Sequence, residues 1–224
     1  MSNYQRFPNR VIAGQQLAKK LQTYQNCPNG LVLALPRGGV PVAFPLAQSL
    51  DVPLDLCLVR KLGAPERPEL AMGAIAGGNI QVMNPDIVNW LGITAAQIAS
   101  IVEQEQQELE RRTHCYRGQK PFPNLSDRTI ILVDDGIATG ATMQAAIAAI
   151  QSQNPRTLIV AVPVVAPAIY HLLQTLVDEV VCLIQPDPLH SISLWYENFQ
   201  QVEDKEVQSY LAQAASLPLH FACC

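Results

Sequence analysis

The run Thr129-Ile130-Ile131-Leu132-Val133-Asp134-Asp135-Gly136-Ile137-Ala138-Thr139-Gly140-Ala141-Thr142 decides how this chain is read. An apolar, largely β-branched stretch ends abruptly in two carboxylates. A small-residue loop with two glycines follows. Met143, Ala146, Ile147 and Ile150 then fall at i, i+3, i+4 and i+7, one face of a helix. Strand, acidic pair, glycine loop and helix in that order predict a pocket for a sugar phosphate. Bare backbone N–H groups at a helix N-terminus attract the phosphate. The carboxylates just ahead accept hydrogen bonds from sugar hydroxyls. The plainer alternative is an ordinary strand-to-helix turn whose aspartates cap the helix. Other phosphate loops fit worse: no Lys lies between Gly136 and Thr142, as a P-loop requires. The glycines also lack the Gly-x-Gly-x-x-Gly spacing of a dinucleotide fingerprint.

The same rhythm recurs along the chain. Strand-like apolar runs cover Leu31–Leu35, Leu54–Val59, Ile130–Val133, Leu158–Val164 and Val180–Ile184. They are near-continuous, as strands buried on both faces are. Helical stretches at Val40–Leu50, after Thr142 and at Ala168–Val177 separate several of them, which predicts a parallel sheet flanked by helices. Two regions differ. Met72–Ile75 and Ile80–Met83 flank Gly77-Gly78-Asn79 and read as a β-hairpin. Thr94–Thr113 reads as one long helix whose Thr94 and Gln97 have capping-box spacing. No linker divides the chain, so residues 1–224 read as a single domain.

Two further loops carry chemistry. Leu31-Val32-Leu33-Ala34-Leu35-Pro36-Arg37-Gly38-Gly39-Val40-Pro41 is a second strand, glycine loop and helix start. Gly38 and Gly39 let backbone approach an anion, and Arg37 suits phosphate oxygens. In Leu58-Val59-Arg60-Lys61-Leu62-Gly63-Ala64-Pro65-Glu66-Arg67-Pro68-Glu69-Leu70, two cations end a strand and a Pro/Gly/charged loop follows.

Composition narrows the classes. The chain has 224 residues, 49% hydrophobic and 15% charged, which suits a packed α/β domain. Net charge is −4 with no dense Lys/Arg block, which disfavours nucleic acid as a partner. No apolar run reaches the ~20 residues of a membrane span, and the first residues lack a signal-peptide core. A cytoplasmic protein is expected. The six cysteines, Cys27, Cys57, Cys115, Cys182, Cys223 and Cys224, show no metal spacing and read as reduced thiols. His114, His171, His190 and His220 are scattered, and no Gly-x-Ser-x-Gly elbow is present.

Val133 to Thr142 resembles the fingerprint of type I phosphoribosyltransferases over its whole length. Phe7 to Arg10 and Trp195 to Phe199 further resemble terminal elements of bacterial proteins with that domain. The resemblance implies the type I fold: a five-stranded parallel sheet flanked by helices, a flexible β-hairpin loop and a small hood. The core would run from about Asn26 to Gln185, with the hood built from both terminal segments. It also implies transfer of 5-phosphoribosyl from 5-phosphoribosyl 1-pyrophosphate (PRPP) to a nitrogenous base, with Mg²⁺ carried by the pyrophosphate and no firm protein ligand. The reverse reaction would start from a nucleoside monophosphate. A homodimer is the implied assembly.

Carried over residue by residue, Asp134 and Asp135 would bind the ribose hydroxyls, both ionised if their pKa values are ordinary. Ala138, Thr139, Gly140, Ala141 and Thr142 would hold the 5′-phosphate. Arg37, Gly38, Gly39, Lys61 and Arg67 would hold the pyrophosphate, with Arg37 and Lys61 also stabilising it as it leaves. Ile137, Trp195, Tyr196 and Phe199 are the candidate base contacts, since aromatics stack on heterocycles. Ala138 stands where 6-oxopurine enzymes of the family carry an Asp, so the acceptor base stays open. Two alternatives stay open too: a regulator that binds PRPP or a nucleotide without turnover, and a ribose-phosphate hydrolase or phosphorylase.

Overall fold

A computed structural model describes residues 6–216 of the chain; His220, Cys223 and Cys224 lie outside the described residues. In chain order the elements are α1 (Arg10–Lys20), β1 (Gly30–Ala34), α2 (Val40–Leu50), β2 (Leu54–Leu56), β3 (Val59–Ala64), β4 (Arg67–Ala76), β5 (Ile80–Met83), α3 (Pro85–Trp90), α4 (Ala95–Arg117), β6 (Thr129–Val133), α5 (Ala141–Gln151), β7 (Thr157–Val164), α6 (Pro167–Gln174), β8 (Glu179–Ile184) and α7 (Asp204–Ser216). They group into two compact units. The first takes the residues up to Leu56, Asp127–Thr139 and those from Pro155 onward; the second takes Cys57–Ser126 and Gly140–Asn154.

The first unit holds a five-stranded sheet of order β2-β1-β6-β7-β8, every neighbouring pair parallel. All five residues of β1 and of β6 are buried, which is why both read as unbroken apolar runs. Helix α1 packs on β7 and β8, α2 on β1, β2 and β6, and α6 on β8. Asn9 caps α1 by accepting from the Ile12 amide at 3.0 Å. This is the α/β architecture expected from the sequence.

The second unit holds an antiparallel sheet of order β3-β4-β5. The hairpin expected around Gly77-Gly78-Asn79 is β4–β5. The charged loop from Lys61 to Arg67 is itself a hairpin, β3–β4, turning at Pro65-Glu66. Helices α4 and α5 both pack against this sheet. The capping box of Thr94 and Gln97 is present at the start of α4.

One apolar run misleads. Leu54–Val59 reads as a single strand, but β2 ends at Leu56 and β3 begins at Val59, in different sheets. Cys57 and Leu58 between them are fully buried, so the apolar pattern passes through the break without a mark.

Helix α1 approaches α2 closely because residue 14 lacks a side chain. A Cβ on Gly14 would stand 2.1 Å from the Val42 carbonyl oxygen. Elsewhere in a helix, Gly→Ala favours folding by up to about 1 kcal/mol. Here overpacking should reverse the sign and cost about 1–3 kcal/mol. Gly14→Ala is therefore expected to lower the urea midpoint; an unchanged or higher midpoint would show that the helix contact is not the constraint.

Candidate functional site

Strands β1 and β6 lie side by side in register, with Ala34 opposite Val133. The sheet order reverses between them: β1 is followed outward by β2, and β6 by β7 and β8. Ligands of open parallel sheets bind beyond the carboxyl ends of the strands at such a reversal. The loops after β1 and β6 therefore leave the sheet as neighbours. The Leu35 amide still donates to the Val133 carbonyl at 2.9 Å, just before the chains part.

The two loops touch through their glycines. A Cβ on Gly39 would stand 2.6 Å from the Leu35 oxygen, 2.7 Å from the Val133 oxygen and 3.0 Å from the Asp134 Cα. Those neighbours are backbone and cannot give way. A Cβ on Gly38 would stand 2.0 Å from an oxygen of the Asp135 carboxylate. The Pro36–Arg37 peptide is cis. The amides of Gly39 and Val40 are spent inside the turn, on the Leu35 and Arg37 carbonyls. The loop thus offers the cleft the Arg37 side chain and Gly38.

That cleft has a volume of about 650 Å³, and Arg10, Arg37, Gly38, Asp135, Ala138 and Phe199 are among the residues on its wall. The remaining lining comes from the segment between β8 and α7. The Arg37 guanidinium lies 3.6 Å from the Asp204 carboxylate at the start of α7, both about two-fifths exposed. Such an exposed pair contributes little and leaves Arg37 available to a stronger anion.

Asp135 is held from several sides. Its carboxylate accepts from Arg10 Nε at 2.8 Å, with both side chains largely buried. Its backbone carbonyl accepts from the Tyr196 hydroxyl at 2.6 Å. Asp134 accepts from the Asp135 amide at 2.8 Å. Arg10 reaches the acid because the N-terminal segment pairs with the segment around Tyr196. Phe7 donates to Trp195 O and Glu197 donates to Phe7 O, each at 2.9 Å. The Phe7 and Tyr196 rings pack at 5.5 Å.

Beyond the acids, Ile137 is buried beside β7, its amide donating to Val164 O at 2.8 Å. Ala138 and Thr139 are exposed. Gly140 then takes a left-handed φ of 77° and opens α5 with no side-chain cap. A left-handed turn residue favours glycine. The first amides of α5 have no partner within the helix.

The phosphoribosyl transferase domain profile matches residues 1–205. The chain belongs to the phosphoribosyl transferase family. Two Mycobacterium tuberculosis proteins provisionally named phosphoribosyl transferases, one from each of two strains, are 40% identical over 208 residues. The match covers 93% of this chain and 47% of each relative, so the chain spans about half their length. The crystal structure of TT1426 from Thermus thermophilus superposes with a TM-score of 0.84 at 36% identity, covering 93% of this chain and 98% of that one. The fold is the type I phosphoribosyltransferase fold.

Within that family fold, the structure brings Arg37, Gly38, Asp135, Ala138 and Phe199 to one cleft wall. It places other sequence candidates differently. Tyr196 is buried against Phe7 and Phe199 and is absent from the lining. Trp195 packs against the cluster of Phe7, Ala13, Val164 and Tyr196. Phe199 carries the Arg10 guanidinium on its ring at 3.8 Å. Lys61 and Arg67 belong to the second unit. There Lys61 donates to Glu69 O at 3.2 Å, and Arg67 stacks over Trp90 at 5.6 Å. Arg10 is the residue that sequence reasoning passed over. The Phe-x-x-Arg spacing was visible, but its partner Asp135 lies 125 positions away.

The acids are not ordinary. Asp134 keeps some accessible area, but surrounding protein and the neighbouring Asp135 charge push its pKa well up. Burial also raises Asp135, while Arg10 pulls it back down. The pair therefore holds a proton more readily than two free aspartates, with Asp135 the member favoured to stay charged. A carboxyl whose pKa is raised on folding binds more protons folded than unfolded. Stability should then fall as pH climbs from the ordinary aspartate range, about 4, through the raised value. Asp134→Asn keeps an acceptor for the Asp135 amide and removes the charge. It is expected to raise the melting temperature by a few degrees at pH 8 and by less at pH 5. A loss at pH 8 would contradict the charge account.

Proposed function

We propose that this chain transfers 5-phosphoribosyl from PRPP to a nitrogenous base and releases pyrophosphate. The observation that carries the reading is the acid pair seated against the Arg37-Gly38-Gly39 turn at the reversal of a parallel sheet, with Asp135, Arg37 and Gly38 on the wall of one cleft. Asp134 and Asp135 would accept hydrogen bonds from the ribose hydroxyls. Ala138, Thr139, Gly140, Ala141 and Thr142 would surround the 5′-phosphate. Arg37 and Gly38 would face the pyrophosphate, Gly39 would hold their turn against the acid loop, and Lys61 and Arg67 would be further cations for it.

In the reaction the C1–O bond of PRPP breaks and pyrophosphate leaves with the electron pair. A lone pair on the base nitrogen forms the new C1–N bond, and the nitrogen's proton passes to solvent. Negative charge grows on the leaving group and positive charge on the ribose ring. Arg37 meets the first, and the acid pair lies on the side of the second. No covalent nucleophile is needed, because positioning and electrostatics lower the barrier.

Among the described residues no group of three His, Cys, Asp or Glu side chains is arranged to hold a metal ion. Mg²⁺ would arrive on the pyrophosphate oxygens, with no firm protein ligand. Bound there, it would neutralise the leaving group. Ala138 lines the cleft and cannot take a proton, which supports an acceptor that needs no neighbouring carboxylate, as in adenine- and uracil-type loops. We further propose a homodimer acting in the cytoplasm on small molecules rather than nucleic acid. No helix among the described residues is long and apolar enough to cross a membrane.

The test is pyrophosphate release from PRPP and Mg²⁺ across a panel of purines, pyrimidines and other heterocycles. Release with one base is expected. Tight PRPP binding with no release would replace transfer by a PRPP-binding regulator. Replacing Asp134 and Asp135 together with Asn removes both carboxyl acceptors, and the bond to the charged Asp135 alone is worth about 1.5–3 kcal/mol. PRPP affinity should fall at least about a hundredfold, and unchanged affinity by calorimetry would refute the ribose role. Arg37→Ala should lower kcat more than it weakens nucleoside monophosphate binding. Equal losses would show that Arg37 does not act on the leaving group.

A further inference from the structure

Arg10 is anchored more firmly than a residue of a terminal segment needs to be. Nε donates to Asp135 Oδ2 and Nη1 donates to the Gln200 carbonyl, both at 2.8 Å. The guanidinium lies flat enough on Phe199 to bring Cζ within 3.8 Å of the ring centre, and Tyr196 is 6.0 Å away. Three directions are thus fixed at once, and the side chain is only 10% exposed while still reaching the cleft wall.

The partner is equally constrained. Gly38 leaves no space between its backbone and the Asp135 carboxylate, and Tyr196 ties down the Asp135 carbonyl. Arg10 is therefore the cation that holds the direction of the Asp135 carboxylate. We propose that Arg10 is a positioning residue of the sugar site: it aims the Asp135 carboxylate and keeps it a charged acceptor for ribose hydroxyls. This rests on the phosphoribosyl-transfer reading given above.

The chemistry requires such a residue. Two adjacent carboxyls in a buried site repel, and the pair lowers its energy by taking up a proton. A protonated carboxyl is a poorer acceptor for a sugar hydroxyl. Arginine stays charged at every relevant pH. Its planar fork also serves carboxylate, carbonyl and ring together, which a lysine ammonium cannot do. The charged or titratable groups around Asp135 are Arg10 from α1, Asp134 on the same loop and Tyr196 from the C-terminal segment. Arg37 and His190 share the cleft, and Asp204 reaches Arg37 from α7. Arg10 is the cation in direct contact.

The experiment compares wild type, Arg10→Gln and Arg10→Lys by calorimetry with PRPP and Mg²⁺ between pH 7 and 9. Carboxyl-carbon NMR titration of the aspartate-labelled, ligand-free proteins accompanies it. Arg10→Gln is expected to weaken PRPP at least tenfold at pH 7, with affinity recovering toward pH 9 and the carboxyl pair titrating at higher pH. Arg10→Lys, which keeps charge and folding, should restore the titration more fully than the affinity. The proposal is overturned if Arg10→Gln or Arg10→Lys binds PRPP as wild type does. It is also overturned if affinity drops by one factor at every pH with the carboxyl titration unmoved. Should wild type itself not bind PRPP, the transfer reading fails, and the ligand-free titration still decides whether Arg10 controls the Asp135 charge.

Discussion

The in-register parallel pairing of β1 with β6 is the constraint on which the site depends. Ala34 opposite Val133 means that both chains leave the sheet at the same height. The Arg37-Gly38-Gly39 turn and the Asp134-Asp135 pair must then share one small volume. Glycine is required at 39 because the neighbours are backbone atoms of both strands. A slip of one residue would turn every buried side chain of a strand to the other face. The register that packs the core therefore also sets the distance between cation loop and acid pair.

That closeness has an energetic consequence. Asp134 sits where burial and a second carboxylate oppose its charge, so the site destabilises the fold around neutrality. The cost is reduced from the chain's far ends: α1 delivers Arg10, and the segment after β8 delivers Tyr196 and the Gln200 carbonyl. Terminal segments that look peripheral in the sequence thus fix the electrostatics of the central loop. Functional sites commonly trade stability for activity in this way.

Much of this was legible in the sequence because it is local. Thr129 to Thr142 announced strand, acids, loop and helix through hydrophobicity and glycine alone, and Thr94 with Gln97 announced the start of α4. What was not legible is what depends on distant partners. Arg10 gave no sign of Asp135, 125 residues on. Tyr196 and Trp195 read as stacking surfaces, yet Tyr196 is buried with its hydroxyl on a backbone carbonyl, and Trp195 packs into the Phe7 cluster. Leu54–Val59 read as one strand because burial continues through Cys57 and Leu58, although hydrogen bonding does not. Periodicity reports burial, and burial does not say which sheet a strand joins.

The most direct test is a crystal structure of the protein soaked or grown with PRPP and Mg²⁺. The 5′-phosphate is expected against the amides of residues 138–142 and the ribose hydroxyls within hydrogen-bonding distance of Asp134 and Asp135. A sugar phosphate bound with its hydroxyls away from both aspartates, or with its 5′-phosphate on another loop, would contradict this placement.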